Sequence, residues 1–173
     1  MFEGIYRRQI GDIMIFATGN EGKVREVKMM LEDAGLKLDL VTMREAGIEA
    51  DIEENGKTFE ENAIIKAKAI MEMTGEIAMA DDSGLEVDYL DKAPGIYSAR
   101  FLGEDTPYSV KNAHIIKQLE GVEGDERSAR FVCVIAVAFP AQVSPNISSD
   151  VPSLGTPWTT ISACPFFNKI SPL

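Results

Sequence analysis

The chain has 173 residues, 45% apolar and 26% charged, which suits one globular domain with a substantial core. Its 28 acidic against 17 basic side chains leave a net charge of −11, which sets it against nucleic-acid backbones; an acidic protein that handles a polyanion needs a divalent cation and well-placed lysines. Cys133 and Cys164 form no CxxC pair and no disulfide framework, and with no signal peptide and no apolar run of bilayer length the expectation is a cytoplasmic chain with no membrane partner.

Residues 1–12 read as a polar, frayed leader. Met14 to Ala17 predicts a short buried strand that runs into Thr18-Gly19-Asn20-Glu21-Gly22-Lys23. Val24, Val27, Leu31 and Ala34 then recur at helical spacing, and Gly35 is the stop. Strand, glycine-containing loop and helix is an arrangement in which backbone N–H groups hold a phosphate. Lys23 opposes the helix dipole in the first turn, so an anion beside it would explain its presence. The spacing is not that of a Walker loop, and from the pattern alone a capped helix start with an exposed lysine is the simpler reading.

Leu38 to Thr42 predicts a second strand, followed by an acidic loop that contains Glu49, Asp51, Glu53 and Glu54. Acid runs of this kind are usually solvated. Thr58 and Glu61 form a capping box that opens a helix with Ala63, Ile64, Ala67 and Met71 on its buried stripe and Gly75 at its end. Asn62 and Lys66, four residues apart, share one face of that helix. Ile77 to Ala80 predicts a third strand that delivers Asp81 and Asp82 into a Ser83-Gly84 turn, from which Leu85 to Val87 leaves as a fourth. Adjacent strand residues point to opposite faces, so at most one of the two aspartates should aim into a cleft.

Pro94-Gly95 breaks the chain, and Arg100 follows near the same edge. Thr106 is expected to cap a helix with Pro107 at its first position, Val110, Ala113, Ile116 and Leu119 on its apolar face, and Gly121 at its end. His114 reads as a surface or packing residue. Phe131 to Phe139 predicts a central strand buried on both faces, with Cys133 as a small hydrophobe. This order of elements implies an α/β layer fold with a mixed sheet and flanking helices. From Pro140 to Leu173 only Asp150 and Lys169 are charged, and no helical or strand period survives. The expectation is a domain over 1–139 and an atypical, irregular tail over 140–173, non-native to the fold, with a sheet edge or core face left exposed.

Four segments together resemble the inosine triphosphate pyrophosphatase family: Thr18 to Lys23, Glu53 to Ala63, Ala80 to Leu85, and Ala93 to Arg100. The resemblance implies an elongated two-lobed α/β fold, a homodimer, and Mg²⁺-dependent hydrolysis of aberrant purine nucleoside triphosphates (ITP, dITP, XTP) to the monophosphate and pyrophosphate. It makes Asp82 the general base and a metal-side carboxylate, with Glu53 or Glu54 as the second. Lys23 and Lys66 would neutralise the triphosphate, and the Thr18, Gly19, Asn20, Glu21, Gly22 and Lys23 backbone would cradle it. Asn62, Ser83 and Arg100 would contact substrate. An all-oxygen site with a phosphate ligand favours Mg²⁺ over zinc.

After Phe139 the family's glycine-rich FGYD segment and its Ser-His-Arg motif, which hold and read the purine, do not occur. The expectation is an intact phosphate half and an absent base-reading half, with reduced activity or poor discrimination between ITP and ATP. The alternative is a non-catalytic isoform that binds nucleotide or pairs with a full-length subunit.

Overall fold

The computed structural model describes residues 13–36, 38–141 and 169–170. The expected leader lies outside these residues, as does most of the expected tail. The elements are β1 (Ile13–Ala17), α1 (Glu21–Asp33), β2 (Asp39–Thr42), α2 (Phe59–Thr74), β3 (Ile77–Val87), α3 (Tyr108–Gln118), β4 (Ala129–Ala138) and β5 (Lys169–Ile170). They form one mixed sheet of order β2-β1-β3-β4-β5. β1 pairs in parallel with β2 and β3, and β4 runs antiparallel to β3 and β5. The mixed α/β sheet with flanking helices is thus the observed architecture.

The pleat of β1 and β3 sorts the core into two layers. Ile15, Ala17, Ala78 and Ala80 face α2 and pack on Ala63, Ala67, Ile70 and Met71. Met14, Phe16, Ile77 and Met79 pack instead with Val24 of α1 and Leu40 of β2. Alanines on both sides of the α2 layer remove the side-chain bulk that would hold helix and sheet apart. α2 begins as its sequence dictates, with the Thr58 hydroxyl accepting from Glu61 N–H and Gly75 in the left-handed region at its end. The Glu61 carboxylate closes the reciprocal contact one residue earlier than expected, on Lys57 N–H at 2.5 Å.

Three expectations are corrected. No turn occurs at Ser83-Gly84: β3 runs unbroken from Ile77 to Val87, because β4 pairs with it over the full register from Ala78↔Ala138 to Val87↔Ala129. β4 is not buried on both faces. Among the described residues its outer edge is paired only at Ala129 and Arg130, and Phe131 is 52% exposed.

The third correction concerns α3, which turns inward the stripe Lys111, Ile115 and Leu119 and leaves Val110 and Ile116 exposed. Thr106 does not cap this helix; its hydroxyl donates back to Leu102 O at 2.6 Å. His114 packs edge-on against Phe101 with ring centroids 5.8 Å apart, as a packing residue would.

Candidate active site

The sheet order reverses at β1: the chain passes from β1 to β2 on one side and then returns to β3 on the other. In open α/β sheets ligands bind outside the carboxyl ends of strands at such a switch point. β1 stops at Ala17, opposite Ala80, so Asp81 and Asp82 are the first residues of β3 with no β1 neighbour. They emerge beside the Thr18–Lys23 loop, and the alternation of the strand sends them to opposite faces.

On the α2 face, Asp82 Oδ1 lies 3.6 Å from Lys66 Nζ. The same ammonium lies 3.2 Å from Glu54 Oε2. Asn62 is fully buried and committed at both ends of its amide. Its Nδ2 donates to Asp82 Oδ2 at 3.2 Å, and its Oδ1 accepts from Gly56 N–H at 2.8 Å. One side chain therefore fixes the carboxylate and ties down the 53–56 loop that presents Glu54. Glu53 is exposed, whereas Glu54 is half-buried and turned to Lys66.

On the α1 face, Lys23 Nζ pairs with Asp81 and donates to Ser83 Oγ at 2.6 Å. The Ser83 hydroxyl donates to the same Asp81 oxygen at 2.8 Å. The anion that accounts for a lysine in the first turn of α1 is thus an aspartate of β3. This trio forms the polar end of a cavity of about 410 Å³ whose apolar walls include Phe16, Met30 and Phe131. In the loop itself, Asn20 Oδ1 accepts from the N–H groups of Gly22 and Lys23 at 2.9 and 3.2 Å, so two of the cradle's donors are already engaged. Thr18 Oγ1 accepts from Asn20 N–H at 3.3 Å, and Gly19 and Glu21 lie exposed beside it.

The structure therefore does not gather Lys23, Lys66 and Asp82 at one point. It sets two lysine–aspartate pairs back to back across the open edge of β3. Arg100 is exposed, with its guanidinium carbon 5.4 Å from the centre of the Tyr97 ring rather than on either aspartate. The neighbouring Ser98 holds the 94–98 segment on β3 by accepting from Leu85 N–H at 2.8 Å and donating to Gly95 O at 2.6 Å. Buried Lys111 donates to Ala99 O at 2.5 Å and anchors the far side of that segment.

The family model described as the Ham1 family matches residues 14–150. The chain belongs to the Ham1 family. Among curated Ham1-like proteins it is 49% identical over 138 residues to the dITP/XTP pyrophosphatase of Bacillus licheniformis, covering 80% of this chain and 69% of that one. With the dITP/XTP pyrophosphatase of Desulforamulus reducens it is 50% identical over 127 residues, covering 73% and 62%. A solved HAM1 protein from Coxiella burnetii superposes with a TM-score of 0.65 at 38% identity, over 72% of this chain and 62% of that one. The chain thus spans roughly six to seven tenths of the length of these relatives. The family resemblance read from the four motifs holds.

Two contacts of this Ham1 chain have no signal in the local sequence: Asp81 pairs with Lys23, and the Asn62 amide joins Asp82 to Gly56. The pairing of Asp81 with Lys23 joins residues 58 positions apart and carries no local signal.

Burial pushes the Asp82 carboxyl above the usual aspartate range. Lys66 and the Asn62 amide pull it back, and Glu54 adds to the rise. Replacing Lys66 by Met removes the strongest opposing influence, so the Asp82 titration midpoint, followed by carboxyl carbon NMR on the metal-free protein, is expected to move further up. A midpoint that stays put or falls would show that the ammonium does not act on Asp82.

No helix among the described residues is long and apolar enough to cross a membrane.

Proposed function

We propose that this chain is a Mg²⁺-dependent nucleoside-triphosphate pyrophosphatase of the cytoplasm that cuts ITP, dITP or XTP between the α- and β-phosphates. The observation that carries the reading is the pair of consecutive aspartates at the switch point, each met by a lysine from a different helix. The names of the relatives, dITP/XTP pyrophosphatase, support the substrate class. A homodimer is part of the same reading.

The chemistry follows from the side chains. A triphosphate laid across the open edge of β3 meets Lys66 on one face and Lys23 on the other, so its charge is neutralised from both sides. Asp82, fixed by Asn62, is the general base: it holds a water and takes its proton as the water oxygen attacks the α-phosphorus and pyrophosphate departs.

Among the described residues no group of three or more His, Cys, Asp or Glu side chains is placed to hold a metal alone. Asp82 and Glu54 nevertheless converge on one cationic position, that of the Lys66 ammonium. Magnesium is typically held by one or two carboxylates with waters and substrate phosphates, so this oxygen pair fits it, with Glu54 rather than Glu53 as the second ligand. When bound, the ion would screen the phosphate oxygens and acidify the attacking water.

Residues 140–173 contain neither base-reading motif, so selectivity should be low. Pyrophosphate release from ITP and from ATP is expected to differ by less than about tenfold in kcat/KM, since telling one base from another needs polar partners for its edge and residues 140–173 carry neither motif that the resemblance assigns to that task. ITP selectivity of a hundredfold or more would contradict this. A second reading, a non-hydrolysing chain that pairs with a complete subunit, is favoured by the half-exposed β4. Co-expression with a complete family member followed by size-exclusion chromatography separates it from the first.

A further inference from the structure

We propose that Asn62 is a positioning residue that sets the affinity of the site for its divalent cation, by holding the Asp82 carboxylate and the 53–56 loop at one fixed spacing. The inference rests on the pyrophosphatase reading above and deepens it, from the groups that meet the ion to the group that spaces them.

The acids of the site come from parts of the chain with unequal support. Asp82 lies within β3, paired with Val134 of β4. Residues 51–56 belong to no helix or strand, so no ladder of backbone hydrogen bonds fixes Glu53 or Glu54. That stretch is held at its two ends instead. Ile52 packs on the core layer shared with α2, and Gly56 N–H donates to Asn62 Oδ1 at 2.8 Å. Both glutamates hang between these points, and the second point is the side chain that also holds Asp82.

Donor and acceptor chemistry permits one arrangement of that side chain. Gly56 N–H needs an acceptor and an ionised Asp82 needs a donor, so the amide presents its oxygen to the loop and its nitrogen to the strand. The amide is fully buried near the start of α2, where the Thr58 cap fixes the helix. The fit on the loop side is close. A Cβ at Gly56 would lie 2.5 Å from Asn62 Oδ1, 2.7 Å from Glu61 Cβ and 2.9 Å from Asn62 N. Only a residue without a side chain brings the loop this near to the helix. Groups that orient metal ligands from behind govern metal affinity by about ten- to a hundredfold.

The test measures binding of Mn²⁺ alone by electron paramagnetic resonance, since Mn²⁺ takes the same oxygen donors as Mg²⁺. It compares the wild-type chain with Asn62→Ala, Gly56→Ala and the double variant, beside their melting temperatures and pyrophosphate release from ITP. Asn62→Ala is expected to weaken Mn²⁺ binding by about thirtyfold, and Gly56→Ala, which pushes the loop off an intact Asn62–Asp82 pair, by about tenfold. In the Asn62→Ala background the glycine change should cost less than about threefold, because the tie it breaks is already gone.

Unchanged Mn²⁺ affinity in Asn62→Ala, whatever its melting temperature, would make Asn62 structural and overturn the assignment. Equal glycine losses in both backgrounds would do the same. So would a loss of tripolyphosphate binding in EDTA as large as the loss of Mn²⁺, which would make Asn62 a substrate contact. Where Asn62→Ala does not fold, Gly56→Ala decides alone, and a Mn²⁺ affinity within about threefold of wild type overturns the proposal. A wild-type chain that binds Mn²⁺ without releasing pyrophosphate defeats the pyrophosphatase reading, while the metal-binding arms still decide the role of Asn62. A wild-type chain that binds no Mn²⁺ defeats both.

Discussion

Replacing Asp82 by Asn is expected to lower kcat/KM for pyrophosphate release from ITP by about a thousandfold or more, the combined scale of losing a general base and a charge poised at the reacting group. The amide has the size of the carboxylate, so packing beside Asn62 and Lys66 is retained. Its effect on stability has the opposite sign. The folded protein raises the pKa of Asp82, so the stability its protonated form contributes is present below the ordinary aspartate pKa and lost as pH rises through the raised value. At neutral pH the buried charge is a cost, and Asp82→Asn should melt no lower than the wild type. Activity that survives within tenfold would show that another group takes the proton. A collapse in melting temperature would show that the carboxylate is structural.

Gly84→Ala is expected to destabilise the fold by about 3 kcal/mol, at the upper end of what overpacking costs, and to lower the melting temperature by about 10 °C. A methyl group at Gly84 would sit 2.3 Å from Gly95 O, 2.6 Å from Ser98 Oγ and 2.9 Å from a Phe59 ring carbon. The nearest obstacle is backbone, which cannot rotate away as a flexible side chain would. Relief requires the 94–98 segment to lift off β3, which breaks the Ser98 hydroxyl's contact with Leu85. Gly19→Ala is the control: nothing lies within 4 Å of the added carbon there, and denaturant unfolding should shift by less than about 0.5 kcal/mol. Equal small shifts for both would mean that the segment does not pack on β3 as described.

What could be read from the sequence was local. The start of α2 at Thr58 and its end at Gly75 follow from hydrogen-bonding and backbone chemistry within a few residues. The opposed orientation of Asp81 and Asp82 follows from the pleat alone, and the shared face of Asn62 and Lys66 from the helical turn. What could not be read depends on partners distant in the chain. Ser83-Gly84 has the composition of a turn, yet β4 holds it extended, and the glycine serves the close approach of Gly95 instead.

The buried stripe of α3 departs from the expected one for a related reason. A lysine looks solvent-facing in a pattern, but Lys111 buries its stem and places its ammonium on Ala99 O. A lysine in the first turn of α1 calls for an anion. That the anion is Asp81 required knowing that β3 lies beside β1 with α1 above it.

The most direct test is product analysis after incubating the chain with ITP and Mg²⁺. The proposed site, in which two lysine–aspartate pairs grip one phosphate chain with Asp82 beside the α-phosphorus, predicts IMP and pyrophosphate in equal amounts, formed in proportion to the wild-type chain and absent with Asp82→Asn. Orthophosphate and IDP as the products, or no turnover from a chain that still melts cooperatively, would contradict the account.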